Sequence, residues 1–284
     1  MKLSGSRGRE LWALAERSVR GFARHGMAVY AMALAYRGLF ALLPFAVFLV
    51  AVLSFLRVDA VLLWLAEQGP PGLRGPLPEL IGWLEEGVLG RTEGGILVVG
   101  IVLAFWSVSI GAIVLTRALN DVFEVEETRP VWKRIAASLT FAPGLAVIAA
   151  VGLMLVTSRA MAWISWRVGL DAVFVFLWGV LRVPVALLLL SLVVSAVYRI
   201  TPNRHLALRS VAPGAFLAVA LWALASLAFA FGLRLFPDYG AIYGSLGAAI
   251  SLLLYLYVSA AAVLVGAEVN AAMQRESLEG RDPL

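Results

Sequence analysis

Arg182 is the residue whose type and setting most directly suggest chemistry. It stands about ten residues into an apolar stretch, 172–198, that holds no other Asp, Glu, Lys or Arg. By helix rise that is roughly 15 Å in, near the middle of a hydrocarbon core about 30 Å thick. An arginine at that depth costs about 2.5–3.5 kcal/mol on insertion scales and usually faces a bundle interior or a wet cavity. Its chemistry would be anion binding on a substrate path. The structural alternative is a guanidinium that bonds exposed carbonyls or snorkels outward. Pro184, two residues on, removes a backbone donor and loosens the helix before it. Pro44, Pro184, Pro213 and Gly214 are candidate helix breaks.

Two further charges fall in apolar surroundings. Arg37 lies in the inner third of a stretch near 31–56, and Glu268 near the inner end of the last apolar stretch. Matched depth predicts a salt bridge, which lowers the desolvation cost of both. With Arg182 they outline a path that continues to Asn270 at the inner end and to Tyr239 and Tyr243 at the outer end. A second group is dense in charge. Arg117, Asn120, Glu126, Glu127 and Arg129 follow one apolar stretch, and Asn203 sits in a later inner turn. These are candidates for an inner gate or docking surface, against the plainer reading of a solvated charged loop.

Enzyme signals are poor. The chain has no cysteine and two histidines, His25 and His205, without ligand spacing, so thiol chemistry and a histidine metal site have no basis. No phosphate-binding loop, nucleophile elbow or paired-carboxylate pattern is present. The sequence calls for no metal, no cofactor and no nucleic-acid partner.

The elements that must position these residues are membrane helices. Residues 38–56, 94–116, 135–158, 210–233 and 239–267 contain no Asp, Glu, Lys or Arg, and 172–198 contains only Arg182. About 20 apolar residues span the core. Segments apolar on every side are helices, because lipid cannot satisfy backbone polar groups and barrel strands alternate. Hydrophobic residues make up 62% and charged residues 14%, far from the roughly one-quarter charged share of soluble domains. The expectation is an all-α polytopic membrane protein with six transmembrane helices. Residues 1–30 form a cytoplasmic and interfacial segment whose amphipathic helix, 10–30, turns Leu11, Ala15, Ser18 and Phe22 to one face. Residues 31–272 form the transmembrane domain, and 273–284 a polar tail expected to fray. The outer loop 57–93, split by Pro70 and Pro71, is expected to be helical in two pieces. Alternate loops divide the basic residues 15 to 6 in favour of the side holding both termini, which places the termini in the cytoplasm.

Several segments together resemble the YihY/BrkB family of bacterial inner-membrane proteins. They are Ala35-Tyr36 with Pro44, Arg117-Ala118-Leu119-Asn120, Glu127-Thr128-Arg129-Pro130, Thr201-Pro202-Asn203, Pro213-Gly214-Ala215, Tyr239 with Ile242-Tyr243-Gly244, and Leu264 to Asn270. They occur in family order across about 35–270. The resemblance implies six membrane helices with cytoplasmic termini, and roles in envelope integrity, serum resistance or transport of lipids and other solutes. Ala41 departs from a family serine, so a hydroxyl-dependent role there does not carry over. An old ribonuclease label also circulates for the family. Two scattered histidines and no buried acidic cluster argue against such a site here.

The leading reading is a transporter or flippase-like protein for an anionic lipid or other amphiphilic solute, serving the cell envelope. The alternative is a non-transporting scaffold for envelope assembly. The implied partners are membrane lipids, an anionic amphiphile as substrate and envelope-assembly proteins, with room for a homo-oligomer.

Overall fold

The computed structural model describes residues 4–55, 95–130, 133, 144, 148, 172–204, 206–235 and 239–279. Six helices cover most of them: α1 Ser4–Arg24, α2 Met27–Phe55, α3 Gly95–Val122, α4 Ala172–Ile200, α5 Leu208–Leu235 and α6 Tyr239–Glu279. No strand occurs among the described residues. Among the described residues, three stretches are long and apolar enough to cross a membrane: Phe176–Ile200, Leu208–Gly232 and Gly247–Glu276. A shorter apolar stretch covers Met27–Leu42. The expected outer loop 57–93, nearly all of the span 135–158, and the side chains of Tyr239 and Tyr243 lie outside the described residues.

The helix boundaries follow local chemistry. The expected helix over 10–30 instead ends at Arg24, because Gly26 turns into the left-handed region at φ 64°, where a residue without Cβ carries no steric cost. The amides of His25 and Gly26 close onto the carbonyls of Gly21 and Ala23, and Met27 starts a new helix. α3 ends in a Schellman motif. The Val125 amide donates to the Asn120 carbonyl at 2.9 Å and the Glu124 amide to that of Asp121 at 3.2 Å. The left-handed residue of this cap, usually glycine, is here Glu124 at φ 51°, a conformation that costs a non-glycine residue about 1–2 kcal/mol.

Two expectations need correction. The helices run through Pro44, Pro184, Pro213 and Gly214 without a break. Prolines persist in membrane helices when neighbours re-satisfy the freed backbone groups. The polar tail does not fray at Gln274, since α6 is helical to Glu279. Its last turns hold good helix formers and gain partners on α3: Arg275 Nη2 donates to the Val122 carbonyl at 3.1 Å. At 41 residues, α6 is about 60 Å long by rise, twice the hydrocarbon thickness.

The chain divides into two compact units. The first holds Met1–Leu39, Ile110–Val147 and Leu187–Leu284. Its core gathers Met27 and Ala31 of α2, Ala118, Leu119 and Val122 of α3, Tyr198 of α4, Val211 and Ala215 of α5, and Leu264 and Ala267 of α6. The second holds Phe40–Ser109 and Ile148–Ala186. In its part of α4, Phe176, Leu177, Val180, Leu181 and Val183 are exposed, as suits a helix surrounded by hydrocarbon.

Within the first unit, α5 and α6 meet backbone to backbone. A Cβ at Gly214 would run into the Gly266 carbonyl, and one at Gly266 into the Gly214 carbonyl. This is the close approach that small residues permit between membrane helices. Asn270, fully buried, clamps the crossing. Its Oδ1 accepts from the Gly214 amide at 2.7 Å and its Nδ2 donates to the Val211 carbonyl at 2.8 Å. Tyr198 of α4 donates its hydroxyl to the Val263 carbonyl.

Candidate functional site

Polar side chains concentrate at one end of the first unit in two networks. The first joins the cap of α3 to the turn between α4 and α5. Glu127 accepts from Arg129 Nε and Nη2, both at 2.8 Å, from the Arg129 amide at 3.0 Å and from Asn120 Nδ2 at 2.8 Å. Arg129 Nη2 also donates to the Thr201 carbonyl at 2.8 Å. Asn120 Oδ1 accepts from the Asn203 amide at 2.9 Å, and Asn203 Nδ2 donates to the Glu126 carbonyl and to Thr128 Oγ1. The paired guanidinium and these donors pull the Glu127 carboxyl down from its ordinary 4.5 to about 2, and the same pairing raises Arg129. Four of the six gate or docking candidates therefore form one internal clasp. Glu126 contributes its backbone carbonyl while its side chain is exposed, and Arg117 is exposed outside the clasp. Groups this fully engaged tie the cap of α3 to the turn between α4 and α5.

The second network centres on Glu268, 1% exposed. The expected partner was Arg37; the structure corrects this. Arg37 is exposed on α2, and the carboxylate instead meets His25 Nδ1 at 2.7 Å. The His25 ring reaches it because α1 lies against α6 at Gly21, where any Cβ would strike Glu268 Oε2. On its other side, His25 Nε2 is 3.6 Å from Glu124 Oε1. Glu124 also pairs with Arg24 at 2.7 Å and Arg275 at 3.1 Å. The strained cap residue of α3 is thus the hub where α1, α3 and α6 meet. Nearby, the Tyr30 hydroxyl donates to Asp121 Oδ2 at 2.5 Å. A shallow cleft of about 420 Å³ opens among Arg24, His25, Asn120, Asp121, Glu124, Val125 and Glu126.

Arg182 stands apart, in the second unit. Its Nε and Nη1 are buried and have no hydrogen-bond partner among the described residues. The indole Nε1 of Trp178 is likewise buried without a partner. Residues four apart share a helix face, so these donors form one patch on α4. Buried polar groups are nearly always bonded, and donors of a charged group left unbonded inside a membrane helix are costly exceptions. The patch supplies donors only, and its complement is an acceptor-rich anion.

The sequence reading singled out Arg182 and the residues of the clasp, with Glu124 among the charged group, but missed the roles of His25 and Trp178 and the left-handed backbone of Glu124. A histidine just before a helix-ending glycine is a weak signal, and nothing marks a left-handed glutamate. Trp178 could have been found by its place one turn from Arg182. Among the described residues, no group of three His, Asp or Glu side chains comes together as metal ligands.

Comparison with known proteins agrees with the helical architecture. The virulence factor BrkB family matches residues 18–283. The ribonuclease-like protein YfkH of Bacillus subtilis (strain 168) is 34% identical over 254 residues, covering 88% of this chain and 91% of that protein. A UPF0761 membrane protein of Xanthomonas campestris pv. campestris (strain B100) is 29% identical over 287 residues, covering 95% of this chain. The match spans 61% of that relative's length. No solved structure matches. With a family match across nearly its whole length and apolar helices to go with it, this chain is an integral membrane protein and belongs to the virulence factor BrkB family.

Proposed function

We propose that this protein moves an anionic lipid or similar amphiphile along a path that includes Arg182, in the bacterial cytoplasmic membrane. The observation that carries the reading is the pair of α4 side chains, Arg182 and Trp178, whose buried Nε, Nη1 and indole Nε1 have no partner among the described residues. A helix that keeps a cation with free donors among hydrocarbon-facing neighbours gains from binding an anion there, and intramembrane ionisable groups commonly mark substrate pathways. The chain crosses the membrane six times with both termini in the cytoplasm, in line with the distribution of basic residues. α1 lies in the inner interface. Its Trp12 and Val19 are 74% and 70% exposed on one side, while Arg17, Arg20 and Arg24 occupy another. No nucleotide-binding motif is present, so transport is passive, ion-coupled or driven by a partner.

The test is translocation of fluorescent anionic lipids in liposomes holding the native chain, Arg182→Leu or Trp178→Phe, matched for thermal stability. Translocation that falls with Arg182→Leu and more mildly with Trp178→Phe supports the path. Activity unchanged by both removes it, and no activity with any anionic lipid, with or without a proton or sodium gradient, favours a scaffold for envelope assembly.

A further inference from the structure

A second anion site is carried by a different part of the molecule. Between α1 and α6 lies a cleft of about 530 Å³ lined by Arg17, Arg20, Gly21, Arg24, Ala272 and Arg275. Gly21 and Ala272 are the small residues of its lining, and the other four are arginines. The acidic groups nearby are already engaged: Glu16 with Arg20, Glu124 with Arg24 and Arg275, Glu268 with His25, and Glu276 with Arg17 at a loose 3.8 Å. These contacts use Nη2 of Arg20, Arg24 and Arg275.

We propose that this cleft binds a phosphoryl group through Arg17, Arg20, Arg24 and Arg275. A tetrahedral oxyanion accepts from several guanidinium edges at once, and arginine matches it in paired geometry. Surface ion pairs are worth at most about 1 kcal/mol, so the flanking carboxylates yield their arginines to a more highly charged ligand at little cost. The phosphoryl group comes either from a phospholipid headgroup of the inner leaflet, where each basic residue near an anionic surface contributes about 1 kcal/mol, or from a soluble phosphorylated solute. Neither depends on Arg182 carrying a substrate.

Calorimetric titration of the full chain in zwitterionic nanodiscs tests the site with three probes: dihexanoyl phosphatidylglycerol, inorganic pyrophosphate and dihexanoyl phosphatidylcholine. The variants are Arg17→Gln/Arg20→Gln, two exposed positions whose loss leaves the core intact, and Arg204→Gln/Arg209→Gln as a control of equal charge change outside the cleft. Saturable binding of a phosphoryl anion is expected, weakened about tenfold or more by the first double variant and little changed by the second. Binding of phosphatidylglycerol alone assigns a lipid headgroup. Binding of pyrophosphate as well assigns the phosphoryl group itself. Equal loss in both double variants reduces the effect to diffuse surface charge and overturns the site, as does binding of the phosphatidylcholine probe as tight as that of phosphatidylglycerol or the absence of saturable binding by either anion.

Discussion

His25 Nδ1 lies 2.7 Å from Glu268 Oε1 although 243 residues separate them. The pair fastens the end of α1 to the C-terminal third of α6, and both side chains are nearly out of solvent, at 10% and 2% exposure. Breaking such a pair by removing one partner costs about 3–5 kcal/mol. Glu268→Ala should therefore lower the thermal midpoint sharply and open the Arg24–Gly26 turn to trypsin. His25→Gln and Glu268→Gln should couple in a double-mutant cycle by about 0.5–3 kcal/mol. Additive single effects would show that the two residues act separately.

The glycines make a graded prediction. At Gly214 and Gly266 a Cβ meets the opposing helix's backbone, which cannot move aside. At Gly21 it meets the Glu268 carboxylate, a side chain with some freedom. At Gly8, Gly111 and Gly179 it meets nothing within 4 Å. Alanine should be most damaging at Gly214 and Gly266, intermediate at Gly21, and neutral or stabilising by about 0.5–1 kcal/mol at Gly179, where helix propensity alone decides. The thermal midpoints of the six variants check the order, and a Gly214→Ala variant as stable as Gly179→Ala would mean that α5 and α6 do not cross there.

Acid should loosen the clasp at a definite place on the pH scale. Glu127 is held near 2 against an ordinary 4.5, first by the hydrogen bonds from Arg129. A depressed folded-state value means that the group's stabilisation is complete above about 4.5 and disappears as pH falls towards 2. Native protein should lose thermal stability across that window more steeply than Glu127→Gln, which carries no proton to gain. At neutral pH the glutamine variant should be the less stable by about 1–3 kcal/mol, the value of a hydrogen bond to a charged group. Parallel pH profiles for the two proteins would remove Glu127 from the acid response.

What was legible in the sequence depended on whether one coordinate or three were needed. Apolar length alone marks α4, α5 and α6, and local charge density placed Asn120, Glu127, Arg129 and Asn203 in one group, which the structure brings together. The pairing of Arg37 with Glu268 failed because matched depth describes position along the membrane normal and says nothing of which way a helix faces. The α1–α6 contact at Gly21 decides that Glu268 meets His25. The helical tail was missed for a related reason. A span was ended where charge began, yet Arg275 and Glu276 continue a helix readily, and Arg275 finds its partners on α3. The left-handed Glu124 was beyond sequence reasoning, because the residue that normally signals that geometry is glycine.

The absence of cysteine gives a direct test of the proposed topology. Single cysteines at Ser6, Ser277 and Thr92 provide one label on each terminal segment and one beyond the first proposed span. In intact cells a membrane-impermeant maleimide should react at residue 92 and spare residues 6 and 277. After permeabilisation all three should react. Labelling of residue 277 from outside would place the end of α6, and with it the arginine cleft, on the opposite face.

Arg182 sets stability against function in a way that separates a path residue from a packing residue. An arginine inside a membrane helix is a standing cost, about 2.5–3.5 kcal/mol on insertion scales, and the buried Nε and Nη1 of Arg182 recover none of that from described neighbours. Arg182→Leu should leave the thermal midpoint unchanged or raise it while anion translocation is lost. Arg182→Lys keeps the charge but presents a point donor in place of a fork, so it should retain part of the activity. An arginine kept for packing behaves the other way, with leucine and lysine both lowering stability and any activity falling only in proportion to folded protein. Measuring midpoint and translocation on the same preparations distinguishes the two, because a rise in one with a fall in the other has no explanation in packing alone.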